Sequence, residues 1–259
     1  MTIVSPELIY KHIKKDEVLF KTFNLLEKNE EVQTYLQMSN VMAVNRLMYN
    51  DHGPVHSKIV SGVALEILEI LKDYVTLSIV KDKIGELIDS KIVVLCGSYL
   101  HDIGNAVHRE LHHIHGCYLS NPILEKILKE IYVEDKEKML RIKQEILQCI
   151  FSHDENIQCL TVEAGISKIA DGTDMAQGRA RIPYKLGKID IHSLSALSIK
   201  KVEINRGDKK PLQILIDMEG TAGIFQVEEV LMKKIMTSNL INLVEIVIIE
   251  PNIGERRLP

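Results

Sequence analysis

Near Ser198 the apolar pattern of this 259-residue chain changes period, and no other feature constrains its fold as strongly. Before that point apolar side chains recur at steps of three and four, the spacing of one helix face. Beyond it they alternate, as on one face of a strand. Residues 6–38 read as helix, with Leu19, Phe20, Phe23, Leu25 and Leu26 on one apolar face. Residues 55–73 carry Ile59, Val63, Ile67 and Ile70 at helical spacing, and Pro54 supplies a start signal. The stretch IVVLCGSYLH, residues 92–101, is apolar nearly all round. Period alone does not separate a buried helix from a buried strand there, and its helical neighbours decide for helix. Further helices are expected over 113–131, 135–152 and 160–176, with a polar turn at 132–136. Gly178, Pro183 and Gly187 then mark a loop.

Downstream, SIKKVEINR and LQILIDM alternate, and Gly207-Asp208 lies between them as a hairpin turn. Residues 222–239 read as helix and LVEIVIIE as a strand. The order strand, strand, helix, strand predicts a small sheet with one helix on its face. The expected fold is therefore mainly α. A helical domain over residues 1–195 precedes a small α+β (ββαβ) domain over 196–259.

Composition narrows the classes of function. Hydrophobic residues make up 46% and charged residues 26%, which suits a packed core and excludes disorder. With no Trp and 5% aromatics, Leu, Ile and Val must fill that core. A net charge of -4 lacks the basic excess of a general nucleic-acid surface. It still admits a small phosphorylated ligand, because a local Arg/Lys cluster can serve one phosphate. Cys96, Cys117, Cys149 and Cys159 form no CxxC pair. The opening MTIVSPELIY has no basic region followed by an apolar core. No apolar stretch approaches the roughly 18 residues of a membrane span. These features point to a reducing cytoplasm, no membrane contact and mostly buried cysteines.

The placement of His and Asp carries the chemistry. His52 and His56 sit four apart at a helix start. His101-Asp102 closes the apolar helix and is followed by Ile-Gly. His108, His112, His113 and His115 fall within eight residues, His153 ends another helix, and Asp171 lies in the next. Imidazole with carboxylate and no thiolate is a donor set for a divalent transition metal. An Asp between two such ions can bridge them, and two ions can activate a water while neutralising a phosphate.

At these residues the chain resembles the HD superfamily of metal-dependent phosphohydrolases. The resemblance rests on His56 in HGPVHSKIV, His101-Asp102 in LHDIG, His112 in HHIHG, His153 in FSHDE and Asp171 in IADGTD, and spans roughly residues 45–185. It implies an all-helical HD core, one or two divalent metals (Fe, Mn, Co, Ni or Zn) and hydrolysis of a phosphoester by a metal-activated hydroxide. It places His56, His101, Asp102 and Asp171 on the first metal, and Asp102, His112 and His153 on a second. The chain departs from the cyclic-dinucleotide phosphodiesterases of that superfamily. They carry His-Asp-Ile-Gly-Lys where this chain has Asn105, and a Gly-Tyr-Pro motif that it lacks. They have two adjacent histidines where this chain has Ser152-His153.

Around that set, Arg179, Arg181 and Lys185 lie on a Gly/Pro-bounded loop close after Asp171 and suit a phosphate clamp. Asp174, three residues beyond Asp171, is a candidate to orient a ligand or a nucleotide sugar. A histidine of the 108–115 cluster, His108 or His112, is the candidate to protonate the leaving oxygen, with Asp102 at the catalytic centre. His52 reads as a helix cap or a site residue, His113 as exposed, and Lys233-Lys234 and Lys209-Lys210 as solvated faces. The expected partner is a small phosphorylated, nucleotide-like substrate. The C-terminal segment suggests a homodimer contact or a lid. Two other uses of the residues stay open: a nucleotide-binding regulatory module without turnover, and an HD-type di-iron oxygenase.

Overall fold

The computed structural model describes residues 1–176, 191–251 and 254–258. Helical residues dominate, and a five-stranded sheet closes the chain. The helical part and the small α+β part follow one another as the change of period predicts.

The expected single helix over 6–38 is three: α1 (Leu8–Ile13), α2 (Glu17–Glu27) and α3 (Glu30–Asn40). Two side chains make the breaks. Asp16 caps α2 by accepting from the Val18 and Leu19 amides, and Asn29 caps α3 by accepting from the Val32 amide. On α2, Leu19, Phe23 and Leu26 are buried, whereas Phe20 is 49% exposed and not part of the apolar face. A π-helical turn, Val41–Arg46, follows α3.

The site-bearing helices come next: α4 (Pro54–Leu71), the short α5 (Ser78–Lys81), α6 (Leu87–Leu100), α7 (His112–Ile131), α8 (Lys136–Ser152) and α9 (Val162–Thr173). The apolar stretch at 92–101 is indeed helical, and every residue from Ile92 to Leu100 is buried. A 3₁₀ turn, Ile103–Ala106, links α6 to α7. Its Gly104 has no room for a side chain, because a Cβ there would lie 1.9 Å from the His112 carbonyl oxygen.

After α10 (Ile191–Leu197) come β2 (Ile199–Arg206) and β3 (Leu212–Met218). A helical run through Ile224–Gln226, Val227–Leu231 and α11 (Met232–Met236) leads to β4 (Val244–Glu250) and β5 (Gly254–Leu258). β1 (Thr2–Ile3) joins from the N-terminus, so the strand order is β1-β2-β3-β4-β5. β3 and β4 are parallel, with Ile214 opposite Ile246, as a strand–helix–strand crossover requires. The other pairs are antiparallel. The edge strands β1 and β5 extend the three-stranded sheet expected from the alternation.

Two clusters of buried side chains hold these layers. One joins α1–α3 to α6–α8 through Leu26, Leu36, Tyr99, Leu128 and Ile146. The other joins α4 and α9 to the sheet through Ile67, Ile169, Ile214 and Ile246. The sheet thus packs on the helices that carry His56 and Asp171. Among the described residues no helix is long and apolar enough to cross a membrane.

One polar contact pins the N-terminus to α4. Glu66 accepts from Thr2 Oγ1 at 2.9 Å and from Lys11 Nζ at 2.7 Å, with His12 Nε2 2.9 Å away. Burial raises the Glu66 pKa, but contacts with His12, Lys11 and Thr2 outweigh it and hold the pKa at about 2. A carboxyl depressed on folding adds stability above its ordinary value of 4.5, and that stability is lost as pH falls toward about 2. Glu66→Gln should therefore cost about 2 kcal/mol at pH 7. Urea unfolding at pH 7 and pH 3 reads it: the loss should shrink at pH 3, and an equal loss at both would contradict the assignment.

Candidate metal centre

Two histidines reach the centre by ending helices. His101 follows the last residue of α6 and His153 the last of α8. Each turns its Nδ1 back on its own helix, to the Ser98 carbonyl at 2.7 Å and the Ile150 carbonyl at 2.6 Å. A carbonyl only accepts, so Nδ1 carries a proton and Nε2 is the nitrogen turned toward the centre. His56, on the first turn of α4, places Nδ1 2.6 Å from Asp174 Oδ2. That carboxylate fixes the same tautomer, as in carboxylate–histidine–metal triads.

Four donors converge. His56 Nε2 lies 3.2 Å from His101 Nε2, 3.4 Å from Asp102 Oδ2 and 3.2 Å from Asp171 Oδ1. His101 Nε2 lies 3.3 Å from Asp102 Oδ2 and 3.6 Å from Asp171 Oδ1. Ligands of one ion at about 2.1 Å sit roughly 3.0–3.4 Å from one another. Adjacent residues on a helix point apart, but Asp102 lies beyond the end of α6, which lets it and His101 meet.

The other oxygen of Asp102 faces a second group. Oδ1 is 3.7 Å from both His112 Nε2 and His153 Nε2, which are 2.9 Å apart. Burial is the main cause lowering the pKa of both His112 and His153, so both rings are held neutral, the form that ligates a metal. Their spacing is also that of two ligands of one ion. Burial also works against charge on His101, but Asp102 and Asp171 prevail and hold its pKa at about 10. The same buried carboxylates, both held well below the usual carboxyl range by neighbouring cations, would draw a metal ion there. The donor chemistry therefore fits one or two divalent ions.

All six expected ligands, His56, His101, Asp102, His112, His153 and Asp171, come together and are buried. Asp174 supports His56 from behind rather than lining the cleft. His108 is not brought in: it is exposed, its Nδ1 accepts from the Glu110 amide, and the cleft lining excludes it. Arg179, Arg181 and Lys185 lie outside the described residues.

Other side chains enter the site: His52, which the sequence left between a helix cap and a site residue, and several that it did not place there. His52 Nδ1 is 2.6 Å from Asp102 Oδ2. Asn105 donates to Asp102 Oδ1 at 2.8 Å, and Arg109 donates to Asn105 at 3.2 Å. The step of three from Asp102 to Asn105 was the available signal. His113 is buried against Phe151 and lies 3.6 Å from Asp154, not exposed. Lys234 is buried too, where a solvated face was expected: Nζ donates to Asp171 Oδ2 at 2.6 Å and to the His153 carbonyl at 2.9 Å. A cleft of about 780 Å³ opens above these groups, with Arg109 and Lys233 beside Leu111, Ile157 and Phe225 in its walls.

The family described as HD domain matches residues 55–176, the segment that holds the six ligands. The chain is 51% identical over 225 residues to an uncharacterized protein of Methanocaldococcus jannaschii, covering 86% of each. The chain belongs to the HD-domain family. Members are in general metal-dependent hydrolases. The matched HD segment includes neither His52 nor Lys234. No solved structure matches.

Proposed function

We propose that this protein hydrolyses a small phosphoester, nucleotide-like in size. His56, His101, Asp102 and Asp171 would hold one divalent ion, and Asp102, His112 and His153 a second. Bound there, the ions supply Lewis acidity and positive charge for phosphoryl oxygens. The observation that carries the reading is the split of Asp102, whose Oδ2 faces one donor group and Oδ1 the other.

The protein's own groups complete the arrangement. Asp174 and the two helix-end carbonyls keep three imidazoles in the tautomer that leaves Nε2 open. Arg109, half-exposed in the cleft wall, offers a guanidinium fork to equatorial phosphoryl oxygens. Arg179, Arg181 and Lys185 are proposed to join it. His112, in the cleft lining, would face the leaving oxygen as a ligand of the second ion, whereas His108 lies outside that lining. Leu111, Ile157, Phe225 and Val230 give the cleft an apolar wall for the organic part of the ester. The volume is that of a small-molecule site, which favours a small substrate over a polymer.

The test is metal content per chain on untagged protein, followed by a screen of phosphomonoesters and phosphodiesters with and without chelator. The expected result is about two ions per chain and hydrolysis that chelation abolishes and the metal restores. A loaded protein that hydrolyses no phosphoester overturns the reading. Oxygen consumption by an iron-loaded form would replace it with a redox one.

A further inference from the structure

We propose that the turn at residues 237–239, together with Lys234, is a brace that positions the metal ligands His153 and Asp171. The C-terminal unit would then be part of the metal centre, a role distinct from a lid or a dimer contact. The inference rests on the metal-ligand reading above.

The contact begins on α9. Gly165, Lys168 and Asp171 are spaced by three and so share one face of that helix. All three meet the C-terminal segment. A Cβ on Gly165 would lie 2.3 Å from the Ser238 carbonyl oxygen, so only glycine lets the turn sit this close. Lys168, fully buried, donates from Nζ to Thr237 Oγ1 at 2.8 Å and to the Ile157 carbonyl. Asp171 accepts from Lys234, which leaves its Oδ1 toward His56 and His101.

The same turn grips the segment that follows His153. Lys234 donates to the His153 carbonyl, and Thr237 Oγ1 to the Glu155 carbonyl at 3.1 Å. The Cys159 amide donates to the Thr237 carbonyl at 2.9 Å, and Asn239 Nδ2 donates to the Cys159 carbonyl at 2.5 Å. Gln158 Nε2 donates to Asn239 Oδ1 at 2.6 Å. Residues 153–159 contain no regular element, so these bonds, not a helix, fix the chain beyond His153. Asn239 has a positive φ of 65°, a conformation Asn tolerates and Gly adopts freely.

A segment that holds one ligand of each ion must be coupled to both. Binding of a metal favours the docked turn, and the docked turn favours binding, by the same factor. Lys234 is a poor probe of this, because removing an ammonium beside Asp171 changes charge as well as position. Asn239→Gly combined with Thr237→Val removes the side-chain bonds, keeps the backbone conformation and leaves every charge in place. Neither residue lines the cleft.

Manganese titration by calorimetry, paired with amide hydrogen exchange, reads the coupling. In the wild type, manganese should slow exchange at the Cys159 amide and through 154–159. In the double variant the manganese Kd should rise about tenfold, the lower end for partners that orient metal ligands, and the slowing should vanish. A variant whose melting temperature falls equally with and without metal, at unchanged Kd, shows a purely structural turn and overturns the brace. Should the double variant fail to fold, Asn239→Gly alone with the same two readouts decides. If the wild type binds no manganese or other divalent ion, the metal-ligand reading itself fails. If it binds and the variant binds equally, only the brace fails.

Discussion

Asp102→Ala is expected to hold at most one metal ion per chain and to lose phosphoester hydrolysis by at least about a thousandfold. The size follows from the two-sided position of this carboxylate. Its Oδ2 serves His56 and His101, its Oδ1 serves His112 and His153, and it is nearly fully buried. No other described carboxylate lies between the two nitrogen groups; Asp171 reaches only the first. Removing Asp102 therefore takes the shared anion from both groups at once. The second group would be left with two neutral imidazoles and no negative charge, a weak set for a divalent ion. The fold should survive, because the apolar clusters do not depend on this side chain and uncharged histidines can share the space. Metal analysis, far-UV circular dichroism and turnover on the best ester of the screen measure the three parts. A variant that keeps two ions and full turnover would end the two-metal reading.

What was legible in the sequence was local. His101 and His153 each terminate an amphipathic or apolar helix, and a histidine at that point can bond its own last turn through the carbonyl three residues back. Helix period therefore located these two histidines at helix ends, while their role as ligands came from the resemblance. That the set from His56 to Asp171 forms one ligand group was implied by the resemblance to the HD superfamily, not by helix period. The α2 and α3 starts were also present, as Asp16 before Glu17 and Asn29 before Glu30, but the apolar pattern running across them masked the breaks.

What was not legible depends on distant pairing. Lys234 stands 63 residues from Asp171, and a lysine pair in a helix carries no local sign of burial. Strand β1 is two residues long and β5 reads GERRL, with no apolar alternation, so neither announces itself without its partner. His52 reaches Asp102 because Asn40 accepts from the His52 amide and Asp51 from the Gly53 amide. That fold of the loop needs α3 beside it. Period and caps determine elements, whereas the outer contacts of the site follow only once the layers are assembled.

Gly104→Ala, outside the donor set, is expected to destabilise the protein by more than about 3 kcal/mol and to disable the second metal group first. A Cβ on Gly104 would lie 1.9 Å from the His112 carbonyl oxygen and 2.4 Å from the Gly116 amide nitrogen. Both are backbone atoms of α7, so no rotamer change relieves the contact. Either the 3₁₀ turn or the first turns of α7 must move by more than an ångström. If α7 moves, His112 leaves Asp102 and His153. The first group keeps its place, since His56, His101 and Asp171 sit on or at the ends of α4, α6 and α9. Misplacement by about 1 Å costs on the order of a hundredfold in rate even where the residue types are intact. Gly116→Ala supplies the contrast. Its Cβ would meet Ile150 Cγ2 at 3.1 Å and the His101 carbonyl at 3.4 Å, and a methyl group can yield by a few tenths of an ångström. That variant should lose about 1 kcal/mol and keep both ions. Urea unfolding with metal analysis on the two proteins separates them. Equal stability in Gly104→Ala and the wild type, with two ions bound, would show that α7 is not held against the turn as described.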